Sequence, residues 1–287
     1  MKVAGRPGEL EPKPRSVAIG TFDGVHLGHQ AVVAAATTPG LVSTVVTFHP
    51  HPREVLGYDV ELVTTLERRL ELLAALGVEE TLVVEFTPEV AALTPEEFAQ
   101  SYVLAVGARI VAAGETFRFG AARSGDLGLL ERLGLETRVV PILPGVSSTR
   151  IRHLLAAGEV RDAARLLGRP VEVEGTVVSG DARGGTLGFP TANLRAEHSL
   201  LVPKFGIYAG EALDHRAAVS IGINPHYGGA ERRIEAFLLD FSGDLYGQRV
   251  IVELWDRLRD EAAFESEAEL IEQIALDVAA TRATTRP

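Results

Sequence analysis

The sequence predicts two domains of different fold class. Residues 1–169 read as a doubly wound parallel α/β domain, and 170–287 as a small antiparallel β-barrel with a closing helix. Three observations predict this. In the first half, short runs rich in Val, Ile and Leu alternate with capped amphipathic segments, the pattern of a parallel sheet covered on both faces. Beyond Pro170 the period drops to two, as in Val171-Glu172-Val173-Glu174, and short β-rich segments succeed one another between turn residues. Gly168-Arg169-Pro170 stands between the two patterns, a helix stop followed by a residue that cannot continue a helix.

In the first half, Ser16-Val17-Ala18-Ile19 reads as a buried strand. It runs into Gly20-Thr21-Phe22-Asp23-Gly24-Val25-His26-Leu27-Gly28-His29, then into a helix over Gln30 to Ala36. A strand, a glycine-rich turn and a helix start is where α/β sheets bind phosphates. Leu41 to Phe48 is a second strand, ended by His49-Pro50-His51-Pro52. Thr64-Thr65-Leu66-Glu67 is expected to cap a helix reaching Leu76, and Thr94-Pro95-Glu96-Glu97 another. Leu82–Phe86 and Ala108–Ala113 are further strands, the latter followed by Gly114-Glu115-Thr116-Phe117-Arg118-Phe119-Gly120. Ser147-Ser148-Thr149-Arg150-Ile151-Arg152 opens a helix whose N-terminal arginines oppose the dipole, a conflict that an anionic ligand removes.

In the second half, strands are expected within Phe205–Gly210, Ala217–Gly222, Ile234–Phe241 and Arg249–Leu254. Ser266 caps a closing helix with Leu270, Ile271, Ile274 and Val278 on one face.

Composition narrows the function classes. The chain has 287 residues, a net charge of −11 and no cysteine. An acidic protein lacks the basic footprint of a duplex nucleic-acid binder, and an anionic substrate must be held by local groups and a metal ion. Without cysteine there is no disulfide, thiolate nucleophile or thiolate metal site. Met1–Arg15 is polar and rich in Pro and Gly, with no apolar signal core, and no apolar run approaches a membrane span. The expectation is a cytoplasmic enzyme with small-molecule substrates, no nucleic-acid or membrane partner, and a monomeric or weakly homo-oligomeric state.

The motifs sharpen this. His26 and His29 lie three apart, so on a first helical turn they share a face and can donate to a phosphate whose charge is rising. Gly180-Asp181-Ala182-Arg183-Gly184-Gly185-Thr186-Leu187-Gly188 can fold over phosphates, and Thr191 and Asn193 in the following Phe189-Pro190-Thr191-Ala192-Asn193 offer hard oxygen ligands suited to Mg²⁺. Glu235 is a carboxylate on an otherwise apolar segment.

GTFDGVHLGH resembles the HxGH signature of the nucleotidyltransferase superfamily, in the form seen in bacterial bifunctional riboflavin kinase/FAD synthetases. The likeness continues through VTFHPHP, LTPEEF, GETFRFG, RSGD and SSTRIR, and the second half resembles the GDxRGxxLGFPTAN signature of riboflavin kinases. It covers about Ser16 to Arg282.

The resemblance implies a Rossmann-like nucleotidyltransferase domain that transfers AMP from ATP to FMN, and a barrel that phosphorylates riboflavin. It implies that His26 and His29 stabilise the α-phosphorus transition state. Gly20, Phe22, Asp23, Gly24, Gly28, Ser147, Ser148, Thr149 and Arg150 would bind ATP and its phosphates. His49, Pro50, Phe117, Arg118 and Phe119 would bind the flavin. In the second domain it implies phosphate binding by Gly180, Arg183, Gly184 and Gly188, Mg²⁺ at Thr191 and Asn193, and Glu235 as the base. ATP, riboflavin, FMN and FAD are the implied substrates and products. Departures are local: Thr116 where relatives commonly carry Asp or Asn, His226-Tyr227 for Thr-Phe, and Ala182 and Gly185 for Gly and Arg. A chain with one decayed module and a non-catalytic flavin- or nucleotide-binding sensor are the alternatives. Intact His26, His29, Asn193 and Glu235 argue against the sensor.

Overall fold

Strand β2 (Arg15–Ile19) is buried along its whole length. Val17 and Ile19 pack into one core and Ala18 into another, so both faces of the strand are covered. The other strands of its sheet are β1 (Lys2–Ala4), β3 (Val42–His49), β4 (Glu80–Glu85), β5 (Ala108–Gly114) and β6 (Glu136–Val140). All pairs are parallel, in the order β1-β4-β3-β2-β5-β6. These coordinates come from a computed structural model, which describes residues 1–179, 189–224 and 231–287. The chain divides into two units, Met1–Ser148 and Thr149–Pro287.

The first unit is doubly wound, as expected. Helices α1 (Leu27–Ala35), through Val32 and Val33, and α3 (Leu66–Ala75), through Leu73, fill one core. The short α2 (Pro52–Val55) and α4 (Pro88–Ala92) lie between strands. Helix α5 (Pro95–Phe98) runs into a π-helical turn over Ala99–Leu104, and with α6 (Leu127–Arg132) it fills the opposite core through Phe98, Leu127 and Leu130. From β2 the chain steps outward to β3 and β4, then returns to lay β5 along the other side of β2. The carboxyl end of β2 is therefore the topological switch point, where an open α/β sheet leaves a crevice. At the other end of β2, buried Arg15 pairs with Glu80 at 2.7 Å and donates to the carbonyl of Val106 at 2.6 Å.

Two expectations change here. Helix α3 is capped by Thr65, whose hydroxyl accepts from Arg68 N–H, one residue later than the Thr64–Glu67 spacing implies. Thr64 is occupied with the turn at Asp23. Strands β1 and β6 were not expected, because three to five residues without a continuous apolar run carry little periodicity.

The second unit contains a closed six-stranded barrel. Its strands are β7 (Val171–Val178), β8 (Ala192–Arg195), β9 (Gly206–Ala212), β10 (His215–Asn224), β11 (Glu231–Leu238) and β12 (Arg249–Arg259). They run in the order β10-β11-β8-β7-β12-β9, every pair antiparallel, with β9 against β10 closing the ring.

Two helices precede the barrel, α7 (Ser148–Ala157) and α8 (Val160–Leu167). Val160, Ala163, Ala164 and Leu167 of α8 are buried, and the helix packs on β7 and β12. That stripe packs α8 within the compact unit Thr149–Pro287. The C-terminal helix (Glu267–Ala283) packs on β9 and β10 and is capped by Ser266. Of its expected face, Ile271 is 37% exposed, and the buried residues are Asp277 and Thr281. Asp277 is held by Arg259 at 2.7 Å and by Gln273 at 3.0 Å, so the helix docks through a polar clamp as well as through apolar contacts.

Candidate active sites

The turn after β2 is built from unusual backbone. Phe22, Gly24 and Val25 all have positive φ, at 51°, 83° and 41°. For β-branched Val25 this is an outlier that costs on the order of 1–3 kcal/mol and persists only where the surroundings over-determine it. They do. Phe22 and Val25 are buried in the core of α1, and the Asp23 carboxylate accepts from the N–H groups of Val63 at 2.9 Å and Thr64 at 3.1 Å. Gly24 N–H donates to the Thr64 hydroxyl at 3.0 Å, and the Ser148 hydroxyl donates to the Asp23 carbonyl at 3.0 Å. Asp23 is fully buried, so its side chain shapes the loop from behind.

The strained turn delivers two imidazoles together. His26 is the N-cap of α1, its Nδ1 accepting from His29 N–H at 3.2 Å. With Nδ1 an acceptor, the neutral ring carries its proton on Nε2. The two rings stack with centroids 3.6 Å apart and planes 12° from parallel, and Phe22 meets His29 edge-on at 5.3 Å. Gly28 makes this possible: a Cβ there would lie 3.1–3.2 Å from the His26 ring. Behind the loop, Arg69 is fully buried and donates to the Phe48 carbonyl at 3.2 Å. Burial pushes its guanidinium below its ordinary value, and the negative charge of Asp23 pulls it back up.

The loop forms one end of a cavity of about 750 Å³ in the first unit. Gly20, Phe22, His26, Gly28, His29 and Ser147 belong to its wall. The rest is aromatic and apolar: Phe48, Phe86, Phe98, Phe117 and Phe119, with Thr116, Arg118 and Arg53 among them. The phenylalanines contact one another, Phe117 stacking on Phe119 at 5.6 Å and Phe98 lying 5.5 Å from Phe119. Of the expected flavin residues, Phe117, Arg118 and Phe119 line this cavity. His49 and Pro50 do not; Phe48 before them and Pro52 after them do. Thr149 and Arg150 follow Ser148 in the first turn of α7 and are exposed.

Phe48, Phe86 and Arg53 went unpredicted. Phe48 and Phe86 stand at or just past the carboxyl ends of β3 and β4, and the rule that parallel sheets bind ligands at that edge could have found them.

In the second unit, register creates the site. Glu235 of β11 pairs directly with Asn193 of β8 on one side and with Ser220 of β10 on the other. Ile234, Ala236 and Leu194 are buried inside the barrel, so alternation puts Glu235 and Asn193 together on its outer face. Arg233, two residues before Glu235 on that face, donates through Nη2 to Glu235 Oε1. Phe189 meets Phe237 edge-on at 5.4 Å, anchoring the segment that carries Thr191 and Asn193. A cavity of about 380 Å³ opens beside Thr191, with Val177, Leu238, Leu245 and Tyr246 in its wall. Gly180, Arg183, Gly184 and Gly188, and the departures Ala182, Gly185, His226 and Tyr227, lie outside the described residues. Among the described residues no three His, Asp or Glu side chains are grouped to hold a metal. Nor is any helix among them long and apolar enough to cross a membrane.

Comparison with known proteins follows the same division. The family model for FAD synthetase matches residues 9–150, and that for riboflavin kinase matches 167–285. A bifunctional riboflavin kinase/FMN adenylyltransferase of Listeria monocytogenes is 37% identical over 93% of this chain and 91% of its own. The protein of that name from Bacillus subtilis is 37% identical over 93% and 92%, and that from Escherichia coli K12 is 37% identical over 91% and 90%. A solved structure titled as a macrolide-efflux protein from Streptococcus pneumoniae is 33% identical, covers 99% of both chains and superposes with a TM-score of 0.89.

Proposed function

The chain belongs to the family of bifunctional riboflavin kinase/FMN adenylyltransferases, and from that premise we propose how its residues share out the two reactions. It phosphorylates riboflavin with ATP to give FMN, and adenylylates FMN with ATP to give FAD and pyrophosphate. One observation carries the assignment of residues: the stacked imidazoles lie in one unit and the Asn193–Glu235 cross-strand pair in the other. The functional boundary is read as lying between residues 149 and 167, a reading supported by the end of the first unit at Ser148 and the start of the kinase match at residue 167.

In adenylyl transfer the nucleophile, an FMN phosphate oxygen, is already an anion. No side-chain base is needed, and catalysis rests on positioning and charge neutralisation. His26, through Nε2–H, and His29 donate to the α-phosphate oxygens as negative charge grows there. Gly20, Phe22, Gly24 and Gly28 bring backbone close to the nucleotide, while Asp23 works indirectly by holding the loop. Ser147, Ser148, Thr149 and Arg150 receive the triphosphate at the N-terminus of α7. The flavin lies against Phe117, Arg118 and Phe119, while His49 and Pro50 act from the segment between the cavity residues Phe48 and Pro52.

In riboflavin phosphorylation, Glu235 accepts the proton of the ribityl 5′-hydroxyl as its oxygen attacks the γ-phosphorus. Gly180, Arg183, Gly184 and Gly188 cover the ATP phosphates. The donor set at the start of β8 fits Mg²⁺: a hydroxyl from Thr191 and an amide oxygen from Asn193, hard ligands that leave positions for phosphate and water. Bound there, the ion supplies charge neutralisation at the phosphates. The substrates are small molecules and the cell compartment is the cytoplasm, a reading supported by the cysteine-free composition.

His29→Ala tests this assignment. Supplied with riboflavin, ATP and Mg²⁺, the variant should accumulate FMN, its adenylyl transfer reduced about 10²–10³-fold by loss of one donor. Equal loss of both activities, read by chromatography of the products, contradicts it.

A further inference from the structure

We propose that Arg233 is a positioning residue for riboflavin phosphorylation, holding the Glu235 carboxylate by Oε1 so that Oε2 takes the hydroxyl proton. The inference rests on the reading of Glu235 as the base. In the step concerned, the 5′-oxygen forms its bond to the γ-phosphorus, the bond from that phosphorus to the β,γ-bridging oxygen breaks, ADP leaves, and the proton passes to Glu235.

A glutamate carboxylate can turn about three side-chain bonds, so a base that must present one oxygen needs a partner for the other. The neighbours of Glu235 across the sheet are Asn193 and Ser220, neither of them charged. Along β11, alternation brings Arg233 onto the same face, and its guanidinium reaches Oε1 through Nη2 alone. Across from Arg233 on β10 is Gly222. The space a side chain would fill at Gly222 is taken by the Glu261 carboxylate. The carboxylate that Arg233 engages is that of Glu235. Arg195 continues β8 two residues beyond Asn193 and is exposed. With Arg233 37% and Glu235 16% exposed, the pair adds little to stability and owes its value to geometry.

The test measures kcat and KM for riboflavin phosphorylation in Arg233→Met, Arg233→Lys, Glu235→Gln and the double variant Arg233→Met/Glu235→Gln. Arg233→Met should lower kcat about 10–10²-fold with the KM for ATP little changed. Arg233→Lys should recover most of that loss, because one nitrogen makes the contact. Once Glu235 is Gln, Arg233→Met should change the remaining rate by no more than about twofold. Arg233→Met at the parent rate beside a disabled Glu235→Gln overturns the inference alone, as do losses that multiply in the double variant. A rise in KM for ATP at unchanged kcat overturns it too, and makes Arg233 a phosphate ligand. Glu235→Gln at the parent rate removes the base assignment and this inference with it.

Discussion

At Gly28 the missing methyl group leaves the His26 ring its place in the imidazole stack. The residue is helical, so its lack of a side chain is not needed for backbone freedom; it is needed for space, with the His26 ring 3.1 Å from where a Cβ would be. Gly28→Ala should therefore leave α1 as stable or more so, alanine being the better helix former by about 1 kcal/mol. It should also displace His26 by a few tenths of an ångström. Adenylyl transfer should fall on the order of tenfold, riboflavin phosphorylation should not change, and the thermal midpoint should not drop. Full adenylyl activity would show that the stacked arrangement is not the working one. Asp23 shows the same indirect logic. It stands inside the motif but faces Val63 and Thr64, so its contribution passes through the backbone of the loop.

At the scale of elements, α5 is only four residues long and carries Phe98 to the aromatic wall of the cavity. What starts it is a reciprocal capping box: the Thr94 hydroxyl accepts from Glu97 N–H at 3.2 Å, and Glu97 accepts from Thr94 N–H at 2.8 Å. The bond from Thr94 N–H, and a second in which the Thr94 hydroxyl donates to the same carboxylate oxygen at 2.9 Å, hold Glu97 below its ordinary range. A lowered folded-state value means stability that is fully present above the unfolded value, about 4.3, and is lost as pH falls through the folded one. Glu97→Ala should thus destabilise the protein at neutral pH and by progressively less below about pH 4. Denaturant titrations of both proteins across that window measure the difference; a penalty independent of pH would mean that Glu97 acts by packing. This box was legible in the sequence, as were β2–β5, because caps and long apolar runs are local signals. β8 was not, since its four residues lie inside a motif read for chemistry and its pairing with β11 is set by the barrel. The exposure of Ile271 and burial of Asp277 were hidden for a related reason: an Arg259 partner from another element decides them.

For the whole molecule, a net charge of −11 repels anionic substrates such as ATP and FMN, so the sites that take them must bring local groups to hold the phosphates. The two sets lie in separate units. One has paired imidazoles at a sheet switch point; the other has Glu235, Asn193 and Arg233 on the outer face of a barrel. The motifs made His26, His29, Asn193 and Glu235 legible, because glycine spacing and carboxylate placement survive in one dimension. Phe117 and Phe119 were legible in the same way, whereas Phe86 and Arg233 belong to no motif and emerged only from the fold.

In the proposed division of roles, Glu235 serves the kinase alone. Gln keeps the volume and the hydrogen-bonding shape of Glu but cannot take a proton, and FMN brings its own anionic nucleophile to the other site. Purified Glu235→Gln, incubated with Mg²⁺ and ATP and either riboflavin or FMN, should make FAD from FMN at the parent rate and make FMN from riboflavin about 10²–10⁴-fold more slowly. Riboflavin phosphorylation above about a tenth of the parent rate, or a matching loss of FAD from supplied FMN, would contradict it.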